Sequence, residues 1–121
     1  DGALYVDTDN FAVRVPENRA EKLMSHAGKE VVFGIRPENI HTPEFIPAGI
    51  HAEMIETKVD VSELMGNEIF LYLLSGDNSF VARVDPRTKV KVGEPVQMAI
   101  NMDNFHLFDP TADKENPPAL I

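Results

Sequence analysis

The chain has 121 residues, with 11 Lys and Arg against 20 Asp and Glu and a formal net charge of -9. That length suits one domain, 1–121, able to bury about two-thirds of its unfolded surface, and the charge repels a phosphate backbone or an anionic lipid face, so nucleic acid is excluded as a partner. The absence of cysteine removes disulfides, thiolate catalysis and cysteine-type zinc sites and fits a reducing cytosol, while no apolar run approaches the roughly 20 residues that span a bilayer.

The predicted elements are short strands and one helix. Leu4, Val6 and Thr8 alternate with Tyr5 and Asp7, Asp9-Asn10 supplies a tight turn, and Phe11, Val13 and Val15 alternate back, which reads as a hairpin. After Pro16 the period changes. Ala20, Leu23, Met24 and Ala27 recur at helical spacing, with Glu17 and Glu21 early, Lys22 and His26 late, and Gly28 as the stop.

Val31-Val32-Phe33-Gly34-Ile35 then predicts a central strand buried on both faces, with Gly34 at a bulge or where another backbone approaches. Arg36 precedes a proline and is held extended, and Pro37 cannot continue a ladder, so the strand ends on Arg36 with Glu38 two residues on. Thr42 to Gly49, with two prolines, reads as a surface loop joining two sub-sheets.

From Ile50 a long strand runs to Val61, with Ile55, Thr57, Val59 and Val61 inward and a bulge expected at Met54-Ile55. Ser62 to Glu68 is read as a short connection. Ile69 to Leu74 is apolar throughout, as expected of a strand covered on both faces. Beyond the turn Ser75-Gly76-Asp77-Asn78, Phe80, Ala82 and Val84 face one way, and Asp85-Pro86 ends that strand. Val96, Met98, Ile100 and Met102 alternate next, followed by Phe105 to Asp109, with 110–121 as a loosely held, proline-bearing tail. About eight strands and one short helix argue for an all-β fold, an OB-like small barrel or paired β-sheets.

The patterns of catalysis and metal binding fail one by one. Gly28-Lys29-Glu30 lacks the earlier glycine and the hydroxyl of a phosphate loop. Asp7-Thr8-Asp9-Asn10 begins like a calcium loop, but Phe11, Ala12 and Asn18 stand where a ligand, the glycine and the closing Glu belong. His51-Ala52-Glu53 resembles the start of a deaminase motif whose thiolate ligands this chain cannot supply. The four histidines never reach metal-ligand spacing within one element. Glu53, Glu56, Asp60 and Glu63 read as a solvated strand face, and Arg36 with Glu38, or His106 with Asp109, as strand-end ion pairs. No catalytic, cofactor-binding or metal residue is assigned.

Three motifs in order carry a family resemblance: Gly34-Ile35-Arg36-Pro37-Glu38, then Glu63-Leu64-Met65-Gly66-Asn67-Glu68, then His106-Leu107-Phe108-Asp109 with Thr111. Joined by Ala82-Arg83-Val84 and Gly93-Glu94-Pro95-Val96, this set resembles the C-terminal domain of carbohydrate-uptake ABC importer ATPases of the maltose and glycerol-phosphate type. Asn39 stands where that family often has histidine and Ala112 where it usually has glycine.

The resemblance implies an accessory OB-related, transport-associated domain following an ATPase domain that would hold ATP and Mg²⁺. It implies a homodimer through this domain, contact with that ATPase domain and, through the full protein, with permease subunits, and regulatory proteins as partners in some members. The location implied is peripheral, on the cytoplasmic side of the cell membrane. Contact candidates on this reading are Arg36, Glu38, Glu63, Gly66, Glu68, His106 and Asp109.

The chain opens on Asp1 and its first methionine is Met24, within the predicted helix, so it reads as a piece of a longer polypeptide. The alternative is a sugar- or oxyanion-sensing OB-type binding module. The net charge and the lack of a Gly-Ser-Lys-rich nest weigh against oxyanions.

Overall fold

The computed structural model describes residues 3–111, 119 and 120. The chain opens with the expected hairpin, β1 (Tyr5–Asp7) against β2 (Ala12–Arg14). The turn closes through the Thr8 N–H donating to the Phe11 carbonyl at 2.9 Å, with Asp9 at φ 74 and its N–H held by the Asp7 carboxylate at 2.9 Å. Aspartate tolerates that left-handed backbone because its short side chain bonds locally.

Helix α1 (Glu17–Leu23) starts where Pro16 presets the backbone, and the Pro16 carbonyl accepts from the N–H groups of Arg19 and Ala20. It is shorter than its period predicts. At Met24 the chain tightens into a 3₁₀ turn, Met24–His26, so Leu23 stays buried whereas Met24 and Ala27 face solvent.

The expected central strand is corrected most. β3 (Val32–Gly34) has three residues, pairs among the described residues only with β9 (His106–Phe108), and leaves Val32 exposed and Phe33 and Gly34 half-buried. Gly34 does meet a close neighbour, but a side chain and not a backbone: a Cβ there would lie 2.9 Å from Cε2 of Phe108. Pro37 ends the run as expected, opening a 3₁₀ turn, Pro37–Asn39. This turn delivers a strand that the sequence reading did not contain, β4 (Ile40–His41).

The main sheet is antiparallel, in the order β4-β8-β5-β6-β7, formed with β5 (Ala52–Met65), β6 (Glu68–Ser75), β7 (Asn78–Val84) and β8 (Pro95–Asn101). Its edge strands β4 and β7 come together, and the Pro37–Asn39 turn lies against β7, so the sheet curls into an OB-like barrel. The loop after β4 therefore crosses β8 within one sheet and does not join two sub-sheets. Thr42 and Thr88, both buried, share a hydroxyl contact of 3.4 Å across the closure.

The core is the inward face of this barrel, with Ile55, Val59, Leu71, Leu73, Ala82, Met98 and Ile100, closed by Val13, Leu23 and Ile40. Phe105 seals one end, stacked on Phe33 at 5.7 Å and covered by the Arg19 guanidinium at 4.3 Å. Of the expected loose tail, 112–118 and 121 lie outside the described residues. The Leu120 N–H donates to the Leu107 carbonyl at 2.7 Å, and Ala119 bridges to Phe108.

Candidate interaction surface

Three corrections to the sequence reading build this surface. The bulge in β5 falls between Val59 and Val61, not at Met54-Ile55. Beyond it parity reverses, and Val61, expected inward, is turned outward and exposed. Ser62 to Met65 are not a connection but the continuation of β5, and only Gly66 and Asn67 make the turn, with Gly66 at φ 65. β6, expected to be covered on both faces, buries Leu71 and Leu73 and leaves Phe70, Tyr72 and Leu74 half-exposed on the other side.

The result is a hairpin end that runs past the barrel. β5 pairs with β8 only as far as Lys58↔Pro95, after which Gly93 and Glu94 make the last backbone contacts to Val59. From Val61 to Met65, β5 has β6 on one side and, among the described residues, no strand on the other. Such an edge offers unpaired backbone donors and acceptors to another strand. Exposed apolar side chains flank it on both faces: Val61 (43%) and Met65 (59%) on the outer face, Leu64 (70%) on the other, with Val92 (64%) next to Gly93.

Cross-strand partners give the outer face its order. Val61, Tyr72 and Val81 lie in one row, and Glu63, Phe70 and Arg83 in the next. The Tyr72 hydroxyl donates to the Glu63 carboxylate, and that hydrogen bond, with the nearby negative charge, holds the phenol above its ordinary pKa. Arg83 Nε sits 3.3 Å from Glu68 Oε2. An apolar strip bounded by bonded charges is the composition of a protein contact surface.

Glu63, Gly66 and Glu68 are thus brought together on this hairpin. Arg36 and Glu38 lie elsewhere, Arg36 just before and Glu38 within the turn into β4, on the opposite edge of β7 from β6. They form no ion pair with each other, contrary to expectation; the ion pairs of the described residues include Arg83 with Glu68, Arg87 with Asp85, and His51 with Asp103. His106 pairs across from Gly34, and Asp109 accepts from the Thr111 N–H at 2.9 Å and hydroxyl at 2.6 Å. The sequence reading placed contacts on the stretch from Glu63 to Glu68 without singling out Leu64 or Met65, and it missed Val61 and Val92. Its only signal was two adjacent apolar residues, Leu64-Met65, where a one-sided strand needs alternation.

Comparison with known proteins adds the decisive match: the TOBE domain family aligns with residues 33–108, more than half of the chain. The chain belongs to the TOBE domain family. The segment before it, residues 1–40, matches the MalK OB fold domain, so the N-terminal hairpin, helix and β3 of this TOBE domain carry a family signal of their own.

Its relatives include the oligosaccharides import ATP-binding protein MsmX of Bacillus subtilis, 37% identical over 81% of this chain and 27% of that protein. The multiple sugar-binding transport ATP-binding protein MsmK of Streptococcus mutans is 37% identical over 90% of this chain and 29% of that protein. The trehalose/maltose import ATP-binding protein MalK of Thermococcus litoralis is 29% identical over 91% and 30%. The TOBE domain spans less than a third of the length of these relatives.

Proposed function

We propose that this TOBE domain is the C-terminal regulatory and dimerisation domain of a sugar importer's ATP-binding subunit. ATP is held together with Mg²⁺ and hydrolysed by the rest of that subunit, on the cytoplasmic side of the membrane beside its permeases. The domain pairs with its copy, steadies the two ATPase halves as they open and close, and offers a surface to regulatory proteins. The names and lengths of the relatives support the transport setting.

One observation carries the pairing: the hairpin end of β5 and β6 exposes Leu64, Met65 and Val61 beside a strand edge with no ladder partner among the described residues. Water gains nothing from those side chains, and a second copy's edge satisfies both the apolar strip and the backbone groups.

The test is sedimentation velocity over a concentration series, with the Leu64→Asp/Met65→Asp double variant alongside. The parent chain is expected to shift toward dimer as concentration rises and the variant to stay monomeric with unchanged melting, because neither side chain is part of the core. A parent chain that remains strictly monomeric at high concentration overturns the pairing. Arg36→Ala and Glu38→Ala, both exposed and outside this surface, are expected to leave association unaltered.

A further inference from the structure

A cleft of about 820 Å³ opens between the β1–β2 hairpin and the segment running into β3, on the part of the molecule that the pairing surface does not use. Its floor is the barrel core, including Leu23, Ile100 and Leu107, and its walls are aromatic, with Phe11 edge-on to Phe80 at 6.4 Å. Polar groups sit at the rim: Asp7, Asp9 and Glu30 against Lys29 and His26.

Asn78 lines the same cleft, and its amide Nδ2 is sealed from solvent without a hydrogen-bond partner. A buried donor in that condition costs free energy until an acceptor meets it. No existing side-chain bond holds the amide nitrogen, and the terminal torsion of asparagine is soft, so a small turn presents it to a ligand without breaking anything.

We propose that this cleft is a binding site for a neutral, polyhydroxylated small molecule of mono- to disaccharide size. The volume is that of a small-molecule pocket. Flat rings take the C–H faces of a sugar, carboxylates accept from its hydroxyls, and the Asn78 amide donates to a hydroxyl oxygen. An anion is disfavoured by the three carboxylates at the rim, and a simple cation has no acceptor to offer Asn78. The site is independent of the pairing reading, since it uses none of the hairpin-end residues.

The test is a titration of the 121-residue chain with D-glucose, maltose and trehalose, followed by amide NMR and calorimetry, with sulfate and glycine betaine in parallel. The expected result is saturable shifts at the Asn78 side-chain amide and around Phe11 and Phe80, with one of the sugars and neither control. Asn78→Ala is expected to weaken binding about tenfold, the size of one lost hydrogen bond, while keeping a dispersed spectrum. Phe80→Leu, which keeps an apolar filling but removes the flat ring, is expected to weaken it as well. No saturable shift with any sugar, saturation by sulfate or betaine in place of a sugar, or shifts confined to other surfaces each overturns the proposal. The same titration on the longer ATP-binding subunit must reproduce the shifts; silence there means the cleft is covered by the rest of the polypeptide, and overturns it too.

Discussion

Asp85 shows how one side chain is set by its neighbour two residues on. Arg87 donates from Nε at 2.9 Å, from Nη2 at 2.9 Å and from its backbone N–H at 2.8 Å, a fork matched to both carboxylate oxygens. Those hydrogen bonds hold the Asp85 carboxyl at about 2, below the ordinary 3.8. The folded value is depressed, so the contribution is complete above the unfolded value and is lost as pH falls through about 2. We expect Arg87→Ala to move the Asp85 carboxyl titration, followed by carbon NMR, up toward 3.8. A midpoint near 3.8 in the parent chain would show that the fork does not persist in solution. The same guanidinium lies 4.6 Å over the Phe45 ring, so one cation joins the loop after β7 to the turn after β4. Asp85-Pro86 was legible as a strand end. Its bond to Arg87, two residues on, is local as well; only the contact with Phe45 required the barrel to close.

At the scale of elements, β3 teaches most about apolar runs. Four strand formers in five positions suggested burial on both faces, yet among the described residues only β9 pairs with β3, and Val32 is 43% exposed. Composition reports that a segment favours extended backbone; it does not count the layers laid over it. Gly34 was read as a bulge or the approach of another backbone; the approaching group is instead the Phe108 ring, 2.9 Å from where a Cβ would stand. Gly34→Ala is therefore expected to destabilise by about 1–2 kcal/mol through overpacking. Trimming the ring should relieve it. In a urea-denaturation cycle, Gly34→Ala in a Phe108→Leu background is expected to cost clearly less than in the parent chain. Equal costs in both backgrounds would place the strain elsewhere. The β5 bulge belongs to this scale too: one extra residue at Asp60 turns Val61 outward and sends the hairpin end past the core.

The whole molecule depends on closing a barrel from short pieces, and Phe105 sits where they meet. It is fully buried, stacked on Phe33 of β3 and covered by Arg19 of α1, so it joins the N-terminal segment to the strands. Phe105→Ala is expected to cost about 3–5 kcal/mol, against a total stability of about 5–15 kcal/mol for a domain of this kind. Thermal unfolding read by circular dichroism would show a large fall in midpoint; a fall of only a degree or two would mean that the N-terminal segment is not docked through this residue. The sequence by itself determined the class of fold, the first hairpin, the inward faces of β7 and β8 and the family resemblance, because alternation, turn residues and proline act locally. Tertiary structure alone decided how far β5 outruns β8, where parity reverses, and that β4 exists. It also decided which contact candidates share a surface: Glu63, Gly66 and Glu68 meet on the hairpin, while Arg36 with Glu38 and His106 with Asp109 lie apart. The reason is physical: pairing partners and sheet closure are contacts between residues far apart in the chain, and a local pattern records only that a strand has two faces.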